Sequence, residues 1–217
     1  MKINDAIDLH SGFCSRCVSC GLFWLTLAIL TVMPLALQAD DERNALLQRL
    51  EEKTQVTDVA PSREGGRGVR LTYYVPVNAS VFWKFKTDFQ NEWLVTNEYI
   101  EAHRFIRRQG NTVITETRYT HGPDVFFRWE TRLFPEIYIM HYTLLNPEEC
   151  GQKFNRGRIE IENDGDLTRV THTSYFDFTG AFLWAHIPGP WGMTGFLRYT
   201  ARWEQETILR LQYRYRD

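Results

Sequence analysis

The amino-acid sequence predicts an α+β domain in which antiparallel strands begin near Val69 and the chain closes with one long C-terminal helix. Three observations carry this reading. From Val69 onward, segments rich in β-branched and aromatic residues are separated by short turns bearing Gly, Pro, Asn and Asp. Connections that short demand antiparallel neighbours, because a parallel crossover needs roughly a dozen residues. The period then changes: over Met193 to Tyr213, residues Met193, Phe196, Leu197, Thr200, Trp203, Thr207, Ile208 and Leu211 share one helical face, opposite Arg198, Arg202, Glu206 and Arg210.

Val69 to Val77 reads as the first strand. Asn78 is placed to cap a short helix whose apolar members are Val81, Phe82 and Phe85, and Trp93 and Leu94 belong to a second short helix or turn. Strands follow over Ile100 to Arg108, Thr112 to Thr120, Val125 to Phe134, Ile137 to Leu145, Phe154 to Glu162 and Leu167 to Phe178. Alternation within them sorts the faces. Val125, Phe127, Trp129, Thr131 and Leu133 point one way, and Arg128, Glu130 and Arg132 the other. Val170, His172, Ser174, Phe176 and Phe178 form a second inward stripe.

The N-terminal part is different in kind. Gly21 to Leu37 carries no charge, Lys2 and Arg16 precede it, and Asp40, Asp41 and Glu42 follow, the arrangement of an export signal or a membrane anchor over residues 1–39. Ala39 offers a small residue for cleavage. Residues 40–68 are expected to hold an amphipathic helix, with Leu46, Leu47 and Leu50 at helical spacing, and then a flexible linker or turn over Pro61 to Gly68. The domain proper is expected over residues 69–217. Localisation follows from the leader: exported, to a periplasm or the extracellular space, or held at the membrane by the N-terminal segment.

Charge and cysteines exclude other classes. The 25 basic and 27 acidic residues give a formal net charge of −2, which supplies no electrostatic footprint for nucleic acid. Cys14, Cys17 and Cys20 are spaced like metal ligands, but they sit just before or at the start of the apolar segment, so neither a metal nor a cofactor is expected. Without the leader only Cys150 remains, so no intrachain disulfide is expected.

The order of elements resembles the START-like (SRPBCC) helix-grip superfamily, which includes the birch-pollen allergen fold, polyketide cyclase/dehydrase proteins and coenzyme Q-binding START proteins. The likeness rests on Val75-Pro76-Val77-Asn78-Ala79-Ser80-Val81-Phe82-Trp83, on Asp88 and Trp93, on Gly165-Asp166-Leu167-Thr168-Arg169-Val170-Thr171, and on the final helix. It implies a curved sheet gripping the C-terminal helix around an apolar cavity that holds a lipid, an isoprenoid or a similar molecule. The ligand-binding residues expected from it are Phe127, Trp129, His172, Phe176, Trp184, Met193, Phe196 and Trp203.

No catalytic constellation is legible. The histidines are scattered over different elements, and none sits in a nucleophile elbow, a zinc-helix pattern or a phosphate loop. His172, beside Ser174 on an inward stripe, is the one candidate for proton chemistry, against the plainer reading of a buried histidine hydrogen-bonded to backbone or water. The pair Glu160 and Glu162, with Arg156 and Arg158 on the same strand, reads as a solvated charge ladder. The expectation is therefore an exported, non-catalytic binding or carrier protein for an apolar molecule, with a cyclase/dehydrase-type enzyme and a packed-shut interaction module as alternatives. Gly180 to Gly192, rich in Phe, Leu, Trp, Gly and Pro, is expected to form a lid over the cavity, to touch a membrane surface, or simply to pack against the sheet edge.

Overall fold

The computed structural model describes residues 40–120, 123–178 and 192–216, so the leader, Trp184 and most of the expected lid lie outside the described residues. The chain divides into two compact units, Met1–Leu46 and Leu47–Asp217, and the second contains the sheet. Helix α1 covers residues 40–52, with Leu47 and Leu50 buried. Eight strands follow: β1 (Gln55–Val59), β2 (Arg67–Val75), β3 (Ile100–Gln109), β4 (Thr112–Tyr119), β5 (Phe127–Phe134), β6 (Ile139–Leu144), β7 (Gln152–Asp164) and β8 (Leu167–Phe178). Helix α2 (Ala79–Thr87) and a 3₁₀ turn (Trp93–Thr96) lie between β2 and β3, and α3 (Met193–Leu211) comes last. All neighbouring strands are antiparallel, in the order β1-β2-β8-β7-β6-β5-β4-β3. Register shifts within β3–β4 and at the start of β7–β8 mark the bulges that help a sheet of this length to curve.

The core forms where the inward stripes meet the helices. Phe82 and Phe85 on α2, Val69, Leu71 and Val75 on β2, Ile161 on β7, Val170 and Phe176 on β8 and Ile208 on α3 are almost wholly inaccessible. Burial of this kind supplies most of the driving force for folding. The outward charges are exposed and paired, Arg169 with Glu162, Arg156 with Glu64 and Arg158 with Glu160, and exposed pairs of this sort add little stability.

Three local expectations are corrected. The stretch between α1 and Val69 contributes a strand: β1, with Val56 and Val59 half-buried, pairs with β2 from Gln55↔Thr72 to Val59↔Gly68, and residues 60–66 form the connection between them. Its glycines serve close approach. Gly66 has φ of 73°, and a Cβ there would meet the Phe176 carbonyl oxygen at 2.6 Å and the Phe154 ring at 2.7 Å. Asn78 occupies the N-cap of α2 without a side-chain cap bond; Asn163 Oδ1, near the end of β7, accepts from the Ala79 N–H instead at 2.9 Å. On α3 the buried face includes Ala201, Glu204 and Gln205, while Phe196, Thr200 and Trp203 are half-buried and border the cavity.

Candidate functional site

A cavity of about 570 Å³ lies between the concave face of the sheet and α3, with α2 and the 3₁₀ turn at one side. Among the described residues, sheet and helix leave this space open between them. Its wall is mainly apolar and aromatic, and the volume falls in the range of small-molecule sites. Of the expected ligand-binding residues, Phe127, Trp129, His172, Phe176, Met193, Phe196 and Trp203 all line it. They come from β5, β8 and α3, which the strand alternation and helix periodicity bring to one interior.

Aromatic contacts hold the wall beside α2. Trp93 stacks on Phe85 at 4.2 Å between ring centroids and lies 5.4 Å from Trp203. Its Nε1–H donates to Tyr215 Oη at 3.1 Å, and the Tyr215 hydroxyl donates to Asp88 Oδ2 at 2.8 Å. The Asp88 and Trp93 of the sequence motif thus pin the 3₁₀ turn to the C-terminus.

Two polar clusters interrupt the apolar wall. In the first, Tyr142 Oη lies 2.7 Å from His172 Nε2 and 2.6 Å from Ser174 Oγ, and Ser174 Oγ lies 3.1 Å from His172 Nε2. The arrangement depends on Gly157. Tyr142, Gly157 and Ser174 sit abreast on β6, β7 and β8, and a Cβ on Gly157 would collide with Tyr142 Oη, so only glycine lets the tyrosine cross β7 to reach β8. Burial, assisted by the Lys86 charge, pushes His172 down to about 3, so its imidazole is neutral at physiological pH, while burial drives the Tyr142 hydroxyl up. In the second cluster Glu204 accepts from Lys86 Nζ at 2.6 Å and from the Tyr73 hydroxyl. Glu204 is only 4% exposed, and the burial and the carboxylate beside it raise Tyr73 well above the ordinary tyrosine range.

Sequence reasoning found His172 and Ser174 but missed Tyr142 as their partner, and missed Lys86, Glu204 and Tyr73 altogether. Signals for some of them exist. Gly157 is an isolated glycine within a strand pattern, which marks close approach of another group, and Glu204 is a lone carboxylate in line with Leu197, Ala201 and Ile208. His103, also on the wall, has a fixed role: its Nε2–H donates to the Phe89 carbonyl and its Nδ1 accepts from the Thr117 hydroxyl. Burial lowers it. Cys150 is buried, and burial raises its thiol to about 12, which removes it as a nucleophile.

No family model matches the sequence, and no curated protein matches it. Solved structures do match in fold. TTHA0849 from Thermus thermophilus aligns over 68% of this chain and 95% of its own, with 14% identity and a TM-score of 0.51. Norcoclaurine synthase from Thalictrum flavum aligns over 74% of this chain and 90% of its own, with 12% identity and a TM-score of 0.50. The fold is the START-like helix grip. A START superfamily protein from Mycobacterium smegmatis aligns over 66% of this chain at a TM-score of 0.47. The two alignments at TM-scores of 0.51 and 0.50 show the fold alone and leave its ligand to the residues of this chain.

Within that helix grip, the lowered histidine makes stability pH-dependent. An unfolded chain protonates His172 below about pH 6.5, whereas the folded protein resists until about 3. Stability is thus fully present above roughly pH 6.5 and is lost as pH falls toward about 3, by at most about 1.4 kcal/mol per pH unit for this group. His103 acts with the same sign. Urea unfolding at about pH 7 and about pH 5 should show a smaller drop for His172→Gln than for the unmutated protein. Equal drops would mean that His172 titrates normally in the fold.

Proposed function

We propose that this chain is an exported, non-catalytic carrier that holds one apolar small molecule, such as a lipid or isoprenoid, in the cavity beneath α3. The observation that supports the reading is the cavity itself, about 570 Å³ with a mainly apolar wall. A core without function closes such a space, because unfilled volume forfeits dispersion contacts and costs stability. The deciding experiment is titration with prodan, a neutral naphthyl ketone whose emission shifts on entering an apolar site. One saturable site per chain is expected.

A second reading, a cyclase/dehydrase-type enzyme, is favoured by one observation: the neutral His172 of the Tyr142–His172–Ser174 cluster lies near the Lys86 charge. A base and a cation lining one apolar cavity are what proton transfer at a carbonyl-bearing chain requires. Recovery of bound material chemically unchanged after prolonged incubation separates the carrier from the enzyme.

Export rests on the apolar, uncharged Gly21 to Leu37 with basic residues before it. A reporter fused after Asp40 is expected to be active only outside the cytoplasm, and activity inside it would end the export reading. Contact with a membrane surface is part of the same proposal.

A further inference from the structure

The cavity's polar groups specify more than apolarity. Among the described residues its only lining cation is Lys86, and that ammonium is already held by Glu204 at 2.6 Å. Two carboxylates, Glu204 and Asp88, line the same space, and no arginine does. An anionic ligand would bring its charge into an apolar wall with no free counterion and with carboxylates nearby, a strongly unfavourable transfer. A cationic ligand fares little better, because Glu204 is engaged by Lys86 and Tyr73, and Asp88 by Tyr215.

What the wall offers is neutral hydrogen bonding. His172 Nε2 is shared with Tyr142 and Ser174, while its Nδ1 has no protein partner among the described residues. At the other end of β7, opposite Phe178, Gln152 also lines the cavity; it is 4% exposed, and its Oε1 is a buried acceptor without a hydrogen bond. Leaving such an acceptor unmet is costly. A hydroxyl donor meets it, whereas a carboxylate or a ketone, which only accept, do not; a ketone is left to accept from the Tyr142 or Ser174 hydroxyl.

Resting on the binding reading above, we propose that the natural ligand is an uncharged apolar molecule carrying hydroxyl or carbonyl oxygen, bound through the Tyr142–His172–Ser174 cluster, and not a free carboxylic acid. Fatty acids and other lipid acids are thereby excluded, while alcohols, phenols and ketones are admitted.

A matched series tests this on the full-length protein at neutral pH, with displacement of prodan as the readout: naphthalene, naphthylmethanol, methyl naphthyl ketone, naphthoic acid and naphthylmethylamine. The alcohol and ketone are expected to bind about tenfold or more tighter than the naphthoate and the amine. Tyr142→Phe keeps the ring and removes the hydroxyl, so it should weaken the alcohol about fivefold and leave naphthalene unchanged. Naphthoate or the amine binding as tightly as the alcohol would overturn the neutral-ligand inference and leave the cavity reading standing. Failure of prodan and every naphthalene to bind would overturn both. Should Tyr142→Phe not fold, the series on the unmutated protein decides alone.

Discussion

Glu204→Leu is expected to destabilise the domain by about 3–5 kcal/mol, far more than its helix position alone would suggest. The carboxylate is 4% exposed and accepts from both Lys86 Nζ, at 2.6 Å, and the Tyr73 hydroxyl. Removing it leaves an ammonium and a phenol without their acceptor in an apolar wall. The strain is relieved by removing the ammonium as well: Lys86→Met with Glu204→Leu should recover much of the loss, because the penalty comes from the stranded charge. A contrast is available on the same helix, where Arg202 pairs with Glu206 on the exposed face. Glu206→Ala should cost no more than about 0.5 kcal/mol. Urea denaturation of the single and double variants measures all three. If the Lys86 and Glu204 losses simply add, Glu204 does not neutralise Lys86 as described.

That pair also marks the limit of what the sequence discloses. Strand alternation placed Phe127, Trp129 and Phe176 on the inner face, and helical periodicity placed Met193, Phe196 and Trp203 toward it, because a period of two or of 3.6 is written in the order of residues. Contacts between elements far apart in the chain have no such period. Tyr73, Lys86 and Glu204 come from β2, α2 and α3, and only the wrapping of the sheet makes them neighbours. Tyr142 meets His172 across β7 because Gly157 lets it through, a condition that depends on the register of three strands. Composition left one place open: Gly65, Gly66 and Gly68 suit a linker or a turn, and they form the tight β1–β2 connection and the close packing of β2.

The other large effect expected is on binding. Thr200 on α3 is half-buried and faces the cavity, so Thr200→Trp extends an indole into the space that a ligand would occupy. If that space were already filled by side chains, the extra volume would cost about 1–3 kcal/mol by overpacking. With a cavity of about 570 Å³ available, the indole is accommodated, and stability should stay within about 1 kcal/mol of the unmutated protein. Binding should fall sharply, since the two compete for one volume. The most direct test of the central claim is therefore a prodan titration of unmutated and Thr200→Trp protein, with folding of each verified by thermal melting. The predicted result is one saturable site in the unmutated protein, weakened about tenfold or more by Thr200→Trp. Equal prodan binding by both folded proteins, or none by either, would contradict a ligand site beneath α3.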